Sequence, residues 1–169
     1  FQQGKPEDAL AVVEKVRAMV AAAGGPDDIA WALEEQVDKT CTMLRDFVKK
    51  AGDLADKRMR ALESDRVQDA WSLSVELHGA YEITEAARRS PIPFMLRSRP
   101  LGARVLKDGK PVMVQRDGKS VEAKTPALLM CGKQPEAFTL ELEGFSPAQV
   151  TVQAMQRAST EAPLPVIPA

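Results

Sequence analysis

Two periodicities divide this chain. Between residues 6 and 89 apolar side chains recur every three or four positions, the spacing of one helical face. Beyond residue 92 they recur every second position, the spacing of one face of a strand. Ala9, Leu10, Val13, Val16, Val20 and Ala23 make the first stripe. Pro6 suits a first helical turn, and Glu7 and Asp8 suit the positive end of the helix dipole. Gly24-Gly25 stops this helix. Pro26-Asp27-Asp28 opens a second, with Ile29, Leu33, Val37, Cys41, Leu44 and Val48 as its inner face. Glycine costs a helix interior about 1 kcal/mol relative to alanine, so Ala51-Gly52-Asp53 predicts a break or kink. Leu54 to Leu62 then forms a third helix or continues the second. Ser64-Asp65 predicts a turn, with Asp65 and Gln68 at capping-box spacing. A last helix carries Val67, Trp71, Val75, His78 and Tyr81. Short turns between such helices predict antiparallel hairpins.

Ser90-Pro91-Ile92-Pro93 closes the helical half, because two prolines within three residues cannot continue a helix. Phe94 to Ser98 and Ala103 to Leu106 predict two strands, the second meeting Asp108-Gly109, a strong hairpin signal. Val112 to Gln115 and Ser120 to Ala123 flank a second such pair, Asp117-Gly118. Ala127 to Met130 follows Thr125-Pro126. Phe138, Leu140 and Leu142 alternate with Thr139, Glu141 and Glu143, as in a half-buried antiparallel strand. Gly144-Phe145-Ser146-Pro147 turns the chain into Val150 and Val152. From Ala158 onward Ser, Thr, Ala and Pro dominate, which predicts a linker or a tail that lies extended against a partner. The expected fold is α+β: a helical domain over 1–90, a small antiparallel β-sandwich over 91–156, and a proline-rich tail over 157–169.

Four pieces of the β half resemble the PEGA family of small β domains. They are Ser98-Arg99-Pro100-Leu101-Gly102-Ala103, Asp108-Gly109-Lys110, Thr125-Pro126 and Gly144-Phe145. The resemblance covers about residues 92–153. Leu101 replaces the more usual Pro or Glu, and a second Asp-Gly-Lys at 117–119 stands inside an interval that is short in the family. The resemblance implies a non-catalytic bacterial module attached to other domains. The opening Phe1 to Leu10 more faintly resembles the first helix of a tetratricopeptide repeat, but no second copy follows at a period of about 34 residues.

Composition adds bounds. The chain has 169 residues, 44% hydrophobic and 28% charged, enough for one domain or two small ones. No apolar run approaches the roughly 18 residues of a membrane span. Charge is uneven: residues 1–87 carry 11 basic and 17 acidic side chains, residues 88–133 carry 11 and 3, and residues 134–169 carry 1 and 4. An acidic helical half beside a basic strand block predicts attraction between halves or copies, or an anionic partner. The candidate interaction surface is Arg97, Arg99, Arg104, Lys107, Lys110, Arg116 and Lys119. Arg97 and Arg99 share one strand face, which could hold a phosphate or uronate, though a solvated strand face is the better account of them.

Enzymatic signals are absent. His78 is the single histidine and has no partner group in the sequence, so it reads as a helix-packing or surface residue. No CxxC or metal-ligand spacing exists, and Cys41 and Cys131 read as isolated buried thiols. Gly24-Gly25 lacks the Lys-Ser/Thr end of a phosphate loop, and the Asp-Gly pairs lack EF-hand spacing. Trp31, Trp71 and Tyr81 read as core aromatics. The expected role is a non-enzymatic interaction or scaffold module of a bacterial multi-domain or envelope-associated assembly, periplasmic or extracellular, with a cytoplasmic location the alternative. It would have protein partners or self-associate, with no cofactor, no metal and no nucleic acid. Two alternatives are the regulatory region of a serine/threonine kinase receptor and an anionic glycan or surface-polymer binder.

Overall fold

The computed structural model describes residues 5–23, 28–116 and 118–167. The tetratricopeptide-like opening, the Gly24-Gly25 stop, the Pro26-Asp27 start, Asp117, and the side chains of Ile29, Trp31 and Leu33 lie outside the described residues. Helix α1 (Pro6–Ala23) lies antiparallel to α2 (Asp28–Glu63). Glu14 pairs with Arg45 at 2.7 Å and Arg17 with Asp38 at 2.6 Å, so position falls along α2 as it rises along α1. These are half-exposed pairs of little energetic weight; of the expected α1 stripe, Ala9, Leu10, Val13 and Val20 are half-buried and Val16 is exposed.

The expected break at Gly52 does not occur. Helix α2 runs 36 residues straight through it. Ala51 beside it is fully buried against Leu77 and Ala87, and that packing outweighs a penalty of about 1 kcal/mol. The expected capping box at Asp65 does not form either. Asp65 has φ +56° and terminates α2: its N–H donates to the Leu62 carbonyl at 3.0 Å, and the Arg66 N–H donates to Ala61 at 2.8 Å. A residue serving in the left-handed position at one helix end cannot take the extended backbone of the next helix's cap. Helix α3 (Val67–Ala80) accordingly starts after Arg66 with no side-chain cap. A short α4 (Glu85–Arg88) is capped by Thr84, whose Oγ1 accepts from the Ala87 N–H at 3.2 Å. Glu7 of α1 accepts the Glu85 N–H at 2.7 Å, tying the first helix to the last.

The strands are β1 (Ile92–Arg99), β2 (Arg104–Lys107), β3 (Lys110–Pro111), β4 (Met113–Arg116), β5 (Lys119–Glu122), β6 (Ala127–Cys131), β7 (Glu136–Glu141), β8 (Ala148–Val152) and β9 (Ser159–Pro163). One sheet has the order β6-β1-β9 and another β3-β2-β7-β8, while β4 and β5 make a separate ribbon. The two larger sheets share one core: Ile92, Phe94, Leu96, Leu129 and Cys131 from the first meet Val105, Phe138, Leu140 and Val152 from the second. The fold is α+β, with the β part a sandwich.

Strand β9 overturns the reading of the segment from 157 as tail or linker over its described residues, 157–167. It pairs in parallel with β1, Leu96 opposite Thr160 and Ser98 opposite Ala162, and is the one parallel partner in an otherwise antiparallel sandwich among the described residues. Ala162 and Leu164 are buried in the common core. Proline is compatible with a sheet edge, where its missing N–H leaves no ladder bond unmade. Composition hid a period-two pair of apolar residues inside a proline-rich run.

Asp108 and Gly109 have φ +51° and +73°, as a two-residue hairpin requires, and Gly118 has φ +72°. A Cβ at Gly109 would meet nothing within 4 Å, so backbone strain alone sets the cost of a side chain there. Gly109→Val is expected to lose more than about 1 kcal/mol. An unchanged urea midpoint for that variant would contradict the turn's role.

Candidate functional site

Two of the four PEGA-like pieces, Ser98 to Ala103 and Thr125-Pro126, meet in buried structural links, whereas Asp108 to Lys110 is an exposed hairpin tip. The Ser98 hydroxyl donates to the Pro100 carbonyl at 2.6 Å, and the Thr125 hydroxyl contacts Ser98 Oγ. Thr125 Oγ1 also accepts the Ala103 N–H at 3.0 Å, while the Gly102 N–H donates to the Thr125 carbonyl at 2.8 Å. Ser98 and Thr125 are buried, so their hydroxyls satisfy each other and the backbone. Gly102, at φ +94°, lets the chain turn back onto Thr125. At the far end, Phe145 bridges Val166 and the Ser146 N–H donates to the Pro165 carbonyl at 2.8 Å. Ser98, Thr125 and Phe145 therefore stand where strand ends are held together.

The seven candidate basic residues are not gathered into one site. Arg97 and Arg99 lie on the exposed face of β1, beside Met95, Leu101, Pro126 and Glu161, and Arg99 is ion-paired with Glu161 of β9. Arg104 pairs with Glu122 at 3.2 Å. Lys107 pairs with Glu136 and stands 5.8 Å from the Phe138 ring centre; its hydrogen bond to Glu136 raises its pKa above the ordinary lysine value. Lys110, Arg116 and Lys119 are exposed around the ribbon. Three of the seven thus have carboxylate partners on neighbouring strands, which local sequence could not reveal.

A cleft of ≈ 980 Å³ lies between β6 and the β4–β5 ribbon. Met95, Met113, Leu128 and Met130 give it an apolar lining, and Lys107, Arg116 and Lys124 stand around it. Met113 and Met130 are 52% and 49% exposed and line the same cleft. Sequence reasoning missed this place. The alternation across Ala127 to Cys131 held the signal, since it puts Leu128 and Met130 on the face opposite the core.

Cys131 lies behind this cleft at 1% exposure, and burial pushes its thiol up to about 12. Thiolate is the reactive form, so at pH 8 only about one thiol in ten thousand is ionised. The folded chain is expected to leave Cys131 unlabelled by a thiol reagent that modifies the unfolded chain at once. A folded pKa above the unfolded one also means stability present at neutral pH and lost as pH rises from about 9 toward about 12. Rapid native labelling of Cys131 would contradict its placement. Among the described residues, no group of three or more His, Cys, Asp or Glu side chains is placed to hold a metal ion.

The helical half seats on the sandwich through Trp71 and Arg58. Trp71 packs on the common core, and its Nε1–H donates to the Ala154 carbonyl at 2.7 Å. Arg58, 3% exposed, donates from Nε to Ser74 Oγ at 2.9 Å and from its terminal nitrogen to the Pro91 carbonyl. His78 is half-buried, with Nε2 at 2.7 Å from the Ser90 carbonyl. Among the described residues one ion pair crosses between the halves, Lys133–Glu82 at 2.6 Å, which holds the Glu82 carboxyl below its ordinary range. Charge attraction is therefore a minor part of this joint.

No protein-family model, curated protein or solved structure matches the chain. Among the described residues no helix is long and apolar enough to cross a membrane.

Proposed function

We propose that this chain is a non-enzymatic protein-interaction module, a helical hairpin unit fixed to a PEGA-like β-sandwich. It serves as a scaffold or assembly element of a bacterial multi-domain or envelope-associated protein. The observation that carries this reading is the cleft beside β6, where half-exposed methionines lie between backbone and cations. Large exposed apolar side chains gathered in one concavity mark contact sites, and methionine adapts its shape to a partner. The anionic-polymer reading has less support, because Arg99, Arg104 and Lys107 are already matched by carboxylates. The kinase-receptor reading rests on the PEGA resemblance alone.

A photo-crosslinking amino acid at Met113, compared with one at the exposed Lys49 of α2, tests the proposal in the source cell. Discrete protein adducts from position 113 and none from 49 are expected. Equal adducts at both positions, or none at either, would remove it.

A further inference from the structure

Strand β6 is an edge strand whose free side opens into the cleft. The hydrogen-bond parity is fixed by β1. The Met95 N–H donates to the Ala158 carbonyl at 2.9 Å, so Met95 addresses the β9 side and its neighbours Phe94 and Leu96 address β6. Their register partners, Leu129 and Ala127, therefore bond to β1. Leu128 and Met130 must point their N–H and C=O groups the other way, into the cleft, where no backbone partner occurs among the described residues. Such a row of unmatched donors and acceptors is a template for another strand.

The surroundings specify what that strand carries. Leu128, Met130 and Met95 offer apolar contact on one face. The two carboxylates at the cleft are engaged, Glu122 by Arg104 and Glu136 by Lys107 and the Gly132 N–H. Lys124 and Arg116 also line the cleft, and neither makes an ion pair among the described residues. Among the described residues the uncompensated charge at the slot is positive.

Building on the interaction-module reading, we propose that the free edge of β6 captures an extended segment of a partner protein in which apolar and acidic side chains alternate. The segment adds as a strand beside β6. Its backbone bonds to Leu128 and Met130, its apolar side chains meet the methionines, and its carboxylates meet Lys124 and Arg116. Main-chain bonds supply affinity in this mode and the alternate side chains supply selectivity.

The test uses the whole chain and a synthetic peptide of alternating valine and glutamate. Fluorescence anisotropy is expected to show saturable binding that weakens by roughly tenfold in Met130→Pro and in Lys124→Glu. Proline at 130 removes a free-edge N–H while leaving the β1 ladder intact, so its thermal midpoint is measured alongside. If that variant does not fold, the same peptide N-methylated on alternate residues replaces it and is expected not to bind. Amide hydrogen exchange is the decisive readout. Bound peptide slows exchange at Leu128 and Met130 and leaves Leu129, already bonded to β1, unchanged. Equal binding by polyglutamate or by the N-methylated peptide would overturn the proposal in favour of a simple charge surface. Protection of Leu128 and Met130 that grows with protein concentration alone would overturn it in favour of a second copy. No peptide binding, with crosslinks still forming from position 113, would overturn this occupant and leave the interaction-module reading standing. Loss of both would remove the two together.

Discussion

A chain ending at Ala158 is expected to lose the cooperative unfolding of its β part. The deleted residues form all of β9, which matches β1 from Met95 to Arg99. They also supply Ala162 and Leu164 to the shared core and the bonds that hold Ser146 and Phe145. Leu164→Ala alone, at a site 6% exposed, is expected to cost about 2–4 kcal/mol. The truncation removes that side chain, a second buried residue and a complete ladder. Its effect is expected to approach the roughly 5–15 kcal/mol that stabilises a domain of this size. Urea denaturation followed by circular dichroism measures both variants. If the segment were a linker, the truncated chain and the parent would share one midpoint, and that outcome would refute the placement of β9.

Local chemistry made much of this fold readable. The two prolines at 91 and 93 announce the change from helix to strand, and β1 starts at Ile92. Asp108-Gly109 needs positive φ at both residues, and few sequences other than such a pair supply it. In each misreading a local preference met a stronger competing demand. At Gly52 it was tertiary, the burial of Ala51; at Asp65 it was local, termination of the preceding helix. At β9 composition concealed two apolar residues whose value appears only once β1 is beside them.

The candidate site was less legible than the fold, for a reason of the same kind. Basic residues can be counted along the chain, but their partners are set by strand register. Arg99 finds Glu161 because β9 returns beside β1, and Lys107 finds Glu136 across adjoining strands. Whether β6 has a free edge depends on strand order, which no window of sequence contains. Leu128 and Met130 read locally as the solvent face of a strand; the ribbon of β4 and β5 turns that place into a cleft.

The second large effect is expected at the joint between the halves. Trp71→Ala removes an aromatic packed on the β core and leaves the buried Ala154 carbonyl without its indole partner. A loss of about 3 kcal/mol is expected, near the lower end for truncating a packed tryptophan because Trp71 is only half-buried. Trp71→Phe separates the contributions: most ring packing stays, and the remaining cost of about 1–3 kcal/mol is that of an unpaired buried carbonyl. Because Trp71 packs on the β core and buried Arg58 bonds to the Pro91 carbonyl, the parent is expected to unfold as one unit. The Trp71→Ala variant is expected to show two transitions by calorimetry, the helical part melting apart from the sandwich. Raising salt from 0.1 to 1 M, which shortens the Debye length from about 10 Å to about 3 Å, is expected to leave the parent's single transition single. A joint held by the opposite charges of the two halves would behave otherwise: salt would split the parent's transition, and Trp71→Ala would not.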